Sequence, residues 1–234
     1  MKYEPNQKYT YVTNGQRKIS IDFMGFLNGG GTWGSVRFIN TLQKYYPNKS
    51  FQKCLEWCSG PGFIGFELLS NNICSELSFM DIYQPALDNI AETIKNNGLT
   101  DKITLHNVGK LSELSGEKYD LILGNPPWHK KAPARFAIKD GEYNGDFMRR
   151  NVDEGLVIHK EFFNHVGDHL NEKGVVIISA LDNRYDDPRH IGVSIHDFYS
   201  MAKNTPLKLI DIYYPDRDLS KGYSTTYYAV FEKR

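Results

Sequence analysis

Between residues 53 and 180, short apolar runs alternate with stretches whose apolar positions recur every three or four residues. The runs at 53–57, 76–80, 103–105, 119–123 and 175–178 are short and bounded by Gly, Pro or polar residues, which predicts strands. The intervening pattern predicts helices. One spans 63–70. A second starts at Gln84 or Pro85, puts Ala86, Leu87, Ile90, Ala91 and Ile94 on one face, and is closed by Gly98. A third covers 152–170, with Leu156, Phe162, Phe163, Val166 and Leu170 apolar. Two further runs, 207–213 and 224–231, are joined by a loop holding Gly222 and read as an antiparallel pair. The alternation predicts an α/β fold: a doubly wound, Rossmann-like sheet of seven strands, mostly parallel, with an antiparallel C-terminal strand. Ligands in such sheets bind past the carboxyl ends of the strands.

Residues 1–50 follow no such rule. Residues 1–20 are polar and Tyr-rich without clear periodicity, and Asn28-Gly29-Gly30-Gly31-Thr32 is a loop with wide backbone freedom. Thr32 is expected to N-cap a helix running to about Tyr46, with Trp33, Val36, Ile39 and Leu42 at helical spacing. Residues 1–50 are thus expected to be a short cap on one edge of the sheet, with Gly31, Thr32 and Trp33 at the mouth of a ligand site, and residues 51–234 to be the main domain.

Composition narrows the class. Lys+Arg and Asp+Glu are both 28 among 234 residues, so no global basic field draws the chain to nucleic acid or to a membrane surface. Cys54, Cys58 and Cys74 form no C-x-x-C pair and read as reduced thiols. No apolar stretch approaches a membrane span, and the N-terminus has no signal-peptide core, which leads to the expectation of a cytoplasmic protein with no membrane partner. His159, His165 and His169 lack Cys or acidic partners at ligand spacing, so no metal site is assigned.

Three features fall at one edge of the expected sheet. Gly60, Gly62 and Gly65 follow the first strand in G-x-G-x-x-G spacing, where glycine lets a backbone approach a ligand. Asp81 ends the second strand, 21 residues after Gly60, the distance of a carboxylate that bonds a ribose hydroxyl pair. Asn125-Pro126-Pro127-Trp128 follows the fourth strand, and the prolines stop it there. The Asn125 side chain and the Pro126 carbonyl offer two acceptors beside the aromatic face of Trp128, an arrangement suited to a planar –NH2 group.

On these residues, 53–128 resembles the cofactor core of class I S-adenosylmethionine-dependent methyltransferases. Asn125–Trp128 is similar to the N-P-P-[aromatic] signature of their amino-methylating branch, the N6-adenine and N5-glutamine type. The resemblance implies S-adenosyl-L-methionine as cofactor. By position it implies that Glu56, Cys58, Gly60 and Gly62 wrap the methionine part, with Glu56 near its amino group. It also implies that Asp81 holds the ribose, that Ile82 packs on adenine, and that Asn125, Pro126 and Trp128 grip the target amine, with Asn125 also bordering the cofactor. Cys58 departs from the common glycine, residues 106–109 (His-Asn-Val-Gly) lack the acidic residue often found there, and Trp128 is bulkier than the usual Tyr or Phe. The implied activity is N-methyl transfer to a planar amide or amine nitrogen: an RNA adenine, a glutamine amide or a small metabolite. The alternatives are a cofactor-binding partner protein without transfer, or another reaction of the same cofactor. Residues 129–150, locally basic and irregular, are expected to form a substrate lid, with 182–189 a second wall.

Overall fold

The computed structural model describes residues 3–99, 102–132, 145–182, 192–215 and 225–234. Its centre is a seven-stranded sheet ordered β5-β4-β3-β6-β7-β9-β8. The strands are β3 (Phe51–Trp57), β4 (Cys74–Met80), β5 (Ile103–His106), β6 (Tyr119–Gly124), β7 (Leu170–Asp182), β8 (Leu207–Tyr213) and β9 (Thr225–Lys233). Pairings from β5 through β7 are parallel, and β9 runs antiparallel to both neighbours, β7 and β8. This is the expected architecture. The strand order reverses between β3 and β6, so their carboxyl ends flank the crevice where such sheets bind ligands.

Side-chain alternation divides the core between the two faces. Cys54, Leu121, Leu123, Val175 and Ile177 face one side, under α1 (Gly31–Tyr45), α2 (Phe63–Ser70) and α3 (Gln84–Asn97). Leu55, Trp57, Ile122, Val176 and Ile178 face the other, under α5 (Val157–His165) and α6 (Ile195–Ala202). A shorter helix, α4 (Gly145–Asn151), lies between β6 and α5 in the chain. Helices α2 and α3 occupy the expected places. Helix α3 ends with Gly98 in the left-handed region at φ 61°, and its amide donates back to the last turn.

The N-terminal segment, for which no element was expected before α1, holds two strands: β1 (Lys8–Val12) and β2 (Ser20–Met24) form an antiparallel hairpin outside the main sheet. Its buried positions are Ile19, Ile21 and Phe23, whose alternation is visible in the sequence, whereas β1 buries no residue fully and so leaves no apolar signature. Thr32 does not cap α1. The cap position is Gly30, at φ 96°, and Thr32 lies inside the first turn, where its hydroxyl accepts from Asn28 Nδ2 at 3.1 Å. The expected helix over 152–170 is much shorter. Gly155 and Leu156 adopt φ 67° and 60°, the Asp153 carboxylate accepts the N–H groups of Ile158 and His159 at 2.9 and 3.0 Å, and helix α5 starts only there. At the other end Leu170 already pairs with Tyr119 as strand.

Candidate active site at the carboxyl ends of the strands

One cavity opens at the carboxyl edge of the sheet. It is lined from five directions: Leu27, Gly29 and Gly31 before and in α1; residues 56–61 with Phe63 and Ile64; Met80, Asp81 and Ile82 at and after the end of β4; Asn125 and Pro127 after β6; Arg149 and Arg150 of α4.

The loop after β3 is held open by its backbone. Cys58, Gly60 and Gly62 all have positive φ, at 54°, 51° and 80°. Cys58 therefore holds a left-handed conformation that glycine adopts freely and a residue with a Cβ rarely does, which accounts physically for glycine as the common residue there. At Gly62 space is also short: an added Cβ would lie 2.7 Å from Phe79 and 3.0 Å from Phe66. Gly62 thus lets α2 pack onto β4 and does not line the cavity.

Asp81 ties this loop to β4. One carboxylate oxygen accepts the Gly60 N–H and the other the Tyr83 N–H, both at 2.8 Å. Burial raises its carboxyl above the ordinary value, against the pull of those amides and of Arg149. Beside it Ile82 is 69% exposed, an apolar side chain left open on the cavity rim. Glu56, 2% exposed, turns its carboxylate to the start of α2, accepting from Gly65 N–H at 2.7 Å and Ile64 N–H at 3.4 Å. Burial outweighs those bonds, and Asp81 adds repulsion, so Glu56 is pushed up to about 8. Burial likewise pushes the Cys58 thiol well above its usual range.

Asn125 stands at the opposite lip. Gly124 pairs with Ile178 in the parallel register of β6 and β7, which sets Asn125 beside Ser179. The Asn125 Oδ1 accepts from Ser179 Oγ at 2.5 Å and from the Trp128 indole N–H at 3.1 Å, while Nδ2 faces the Gly29 carbonyl at 3.5 Å. Backbone bonds pin the following segment: the Trp128 carbonyl accepts from Val193 N–H, and His129 bonds residues 151 and 153. Arg150 donates to the Asn28 carbonyl at 2.9 Å, joining α4 to the N-terminal segment, and Arg149 lies 3.5 Å over the ring of Tyr83.

The structure therefore brings Glu56, Cys58, Gly60, Asp81, Ile82 and Asn125 to one cavity. Gly62 and Pro126 are not among its lining residues. Trp128 meets it through Asn125. Of Gly31, Thr32 and Trp33, Gly31 lines the cavity together with Gly29, whereas Thr32 and Trp33 are not among its lining residues: α1 begins earlier than expected, and Trp33 is 52% exposed with the Arg37 guanidinium over its ring. Of the expected lid, residues 133–144 lie outside the described residues, as do 183–189 of the second wall. The segment's helical end, α4, supplies Arg149 and Arg150. Sequence reasoning missed Ser179, because which residue of a buried strand sits beside Asn125 depends on strand register.

The strand order, the antiparallel β9 and the cavity at the β3/β6 crevice define the class I methyltransferase fold, a Rossmann-like architecture. Within that class, residues 31–140 match the methyltransferase small domain family. The ribosomal protein uL3 glutamine methyltransferase of Francisella tularensis is 26% identical over 131 residues, 56% of this chain and 42% of that protein. The ribosomal RNA small subunit methyltransferase C of Haemophilus influenzae is 32% identical over 82 residues, 35% of this chain and 24% of that one. This chain thus spans less than half the length of these curated relatives. Among solved structures, the N-methyltransferase NodS from Bradyrhizobium japonicum, in complex with S-adenosyl-L-homocysteine, shares the fold at a TM-score of 0.55 and 12% identity, covering 85% of this chain and 86% of that one.

Proposed function

We propose that this chain is an S-adenosylmethionine-dependent N-methyltransferase acting on a planar amide or amine nitrogen. The observation that carries the reading is that Asn125 opens onto the same cavity as the 58–60 loop and Asp81. The residues suit the cofactor. Ile82 offers an exposed apolar surface to a flat base, Asp81 offers acceptor capacity to a hydroxyl pair, and Glu56 offers a buried carboxylate to a cationic group. S-adenosylmethionine would supply an already activated methyl group, so the contribution of the chain is placement. Holding nitrogen and methyl carbon in line is worth several kcal/mol, up to roughly 10 for ideal positioning.

Asn125 Oδ1 and the Pro126 carbonyl are assigned as acceptors for the two hydrogens of the amine. Accepting them keeps the lone pair directed at the methyl group and stabilises the positive charge that develops on nitrogen. The Trp128 ring is assigned as the face against the planar group. The named activities of the relatives, on a glutamine of a ribosomal protein and on ribosomal RNA, support a polymeric acceptor carrying such a nitrogen. Arg149 and Arg150 at the rim favour an anionic one. Among the described residues no helix is long and apolar enough to cross a membrane, and Cys54, Cys58 and Cys74 are free thiols, which supports a cytoplasmic assignment.

The test is calorimetry with S-adenosylhomocysteine followed by transfer of labelled methyl to ribosomal protein and RNA. Asn125→Ala is expected to lower turnover at least about 100-fold while affinity for S-adenosylhomocysteine stays within about threefold. Near wild-type turnover would remove Asn125 from the chemistry, and no binding at all would sink the reading.

A further inference from the structure

In the resting protein the acceptor of Asn125 is full. An amide oxygen has two lone pairs, and here one takes the Ser179 hydroxyl and the other the Trp128 indole N–H. An indole nitrogen only donates, so the atom facing it must be the amide oxygen, which fixes the orientation of the Asn125 side chain. The two donors differ in freedom. Ser179 is 1% exposed and sits in β7, paired to β6 on one side and β9 on the other. Trp128 is half-buried and lies beyond the end of β6, where its backbone is held by Val193. Its side-chain torsions can withdraw the indole without moving that backbone, whereas the Ser179 hydroxyl is bound to its strand.

We propose that Trp128 is a placeholder: its N–H occupies the lone pair of Asn125 that the N–H of the methyl acceptor takes over, while Ser179 is a positioning residue that holds the amide plane through the exchange. This rests on the reading of Asn125 as the grip for a planar amine. Entry of the substrate swaps one N–H···O bond for another, so the oxygen is never left without a donor, and the freed indole turns its face to the incoming group. Phe at position 128 would supply the face but not the placeholder.

Exchange of the indole protons with solvent, followed by 1H–15N spectroscopy on the full chain loaded with S-adenosylhomocysteine, tests this. The three tryptophans give three signals, and Trp128→Phe assigns one of them. Asn125→Ala is expected to speed exchange of the Trp128 proton by about tenfold or more, the factor an ordinary lost bond releases, with the Trp33 and Trp57 signals unmoved as reporters of folding. An unchanged Trp128 rate overturns the proposal. In labelled-methyl transfer, Ser179→Ala is expected to lower kcat roughly tenfold through misplacement of Asn125, with affinity for S-adenosylhomocysteine unchanged and kcat restored by Ser179→Thr. Wild-type kcat in Ser179→Ala overturns the positioning role. A wild-type protein that transfers no label counts against the functional reading, and the exchange result remains separate from it.

Discussion

With Glu56 in its proposed place beside the cationic part of the cofactor, binding should be a proton-linked event. In the free protein its carboxyl is held near 8 by burial, in spite of the Gly65 and Ile64 amides that it accepts. At pH 7 it is therefore about nine-tenths protonated. A ligand bringing positive charge to the cavity favours the carboxylate and lowers that value, so binding should expel about 0.9 proton at pH 7, about 0.5 at pH 8 and little above pH 9. Affinity for S-adenosylmethionine should rise with pH, by at most about tenfold per unit, and level off above about 8. Calorimetry in buffers of different ionisation enthalpy reads the proton count directly from the slope of observed enthalpy. In Glu56→Gln the slope should vanish and the pH dependence flatten. Binding without proton release at pH 7, or release that persists in Glu56→Gln, would refute the reasoning. The same shift acts on stability. A carboxyl raised in the folded state favours folding most below its unfolded value. That contribution is lost as pH climbs to about 8, at about 1.4 kcal/mol per unit in the steepest part.

Three more perturbations follow from the geometry. Asp81→Ala removes the acceptor of the Gly60 and Tyr83 amides and should weaken S-adenosylhomocysteine binding by at least about tenfold in calorimetry, since bonds to a charged group are worth about 1.5–3 kcal/mol; unchanged affinity would discard the ribose assignment. Gly62→Ala adds a Cβ 2.7 Å from Phe79 at φ 80° and should cost about 1–3 kcal/mol in urea unfolding, with an unaltered midpoint contradicting the packing account. Asp153→Ala strips the acceptor from the Ile158 and His159 amides and from His159 Nδ1, 2.7 Å away in a buried pair, and should cost about 3–5 kcal/mol; a loss below about 1 kcal/mol would show that α5 does not depend on this cap.

By itself the amino-acid sequence determined the order of the strands from β3 to β9, helices α2 and α3, the glycine-bearing loop, the acidic end of β4 and the stop after β6, because each is written in local periodicity or in the special backbone of Gly and Pro; α4 and α6 were not read from it. Even the departure at Cys58 was legible as a residue in a glycine's place, though its φ of 54° was not. Tertiary structure alone decided the rest. The β1–β2 hairpin buries its alternating Ile19, Ile21 and Phe23 against the main domain, Phe23 on Phe63 and β2 on α3, neighbours that no local pattern names. Trp33 was turned outward once α1 began at Gly31, and Glu56 was aimed at a helix start by packing across the sheet. Ser179 reaches Asn125 across 54 residues of chain, because parallel strands set their register through backbone bonds between segments far apart, and no local pattern records which residue will stand beside which.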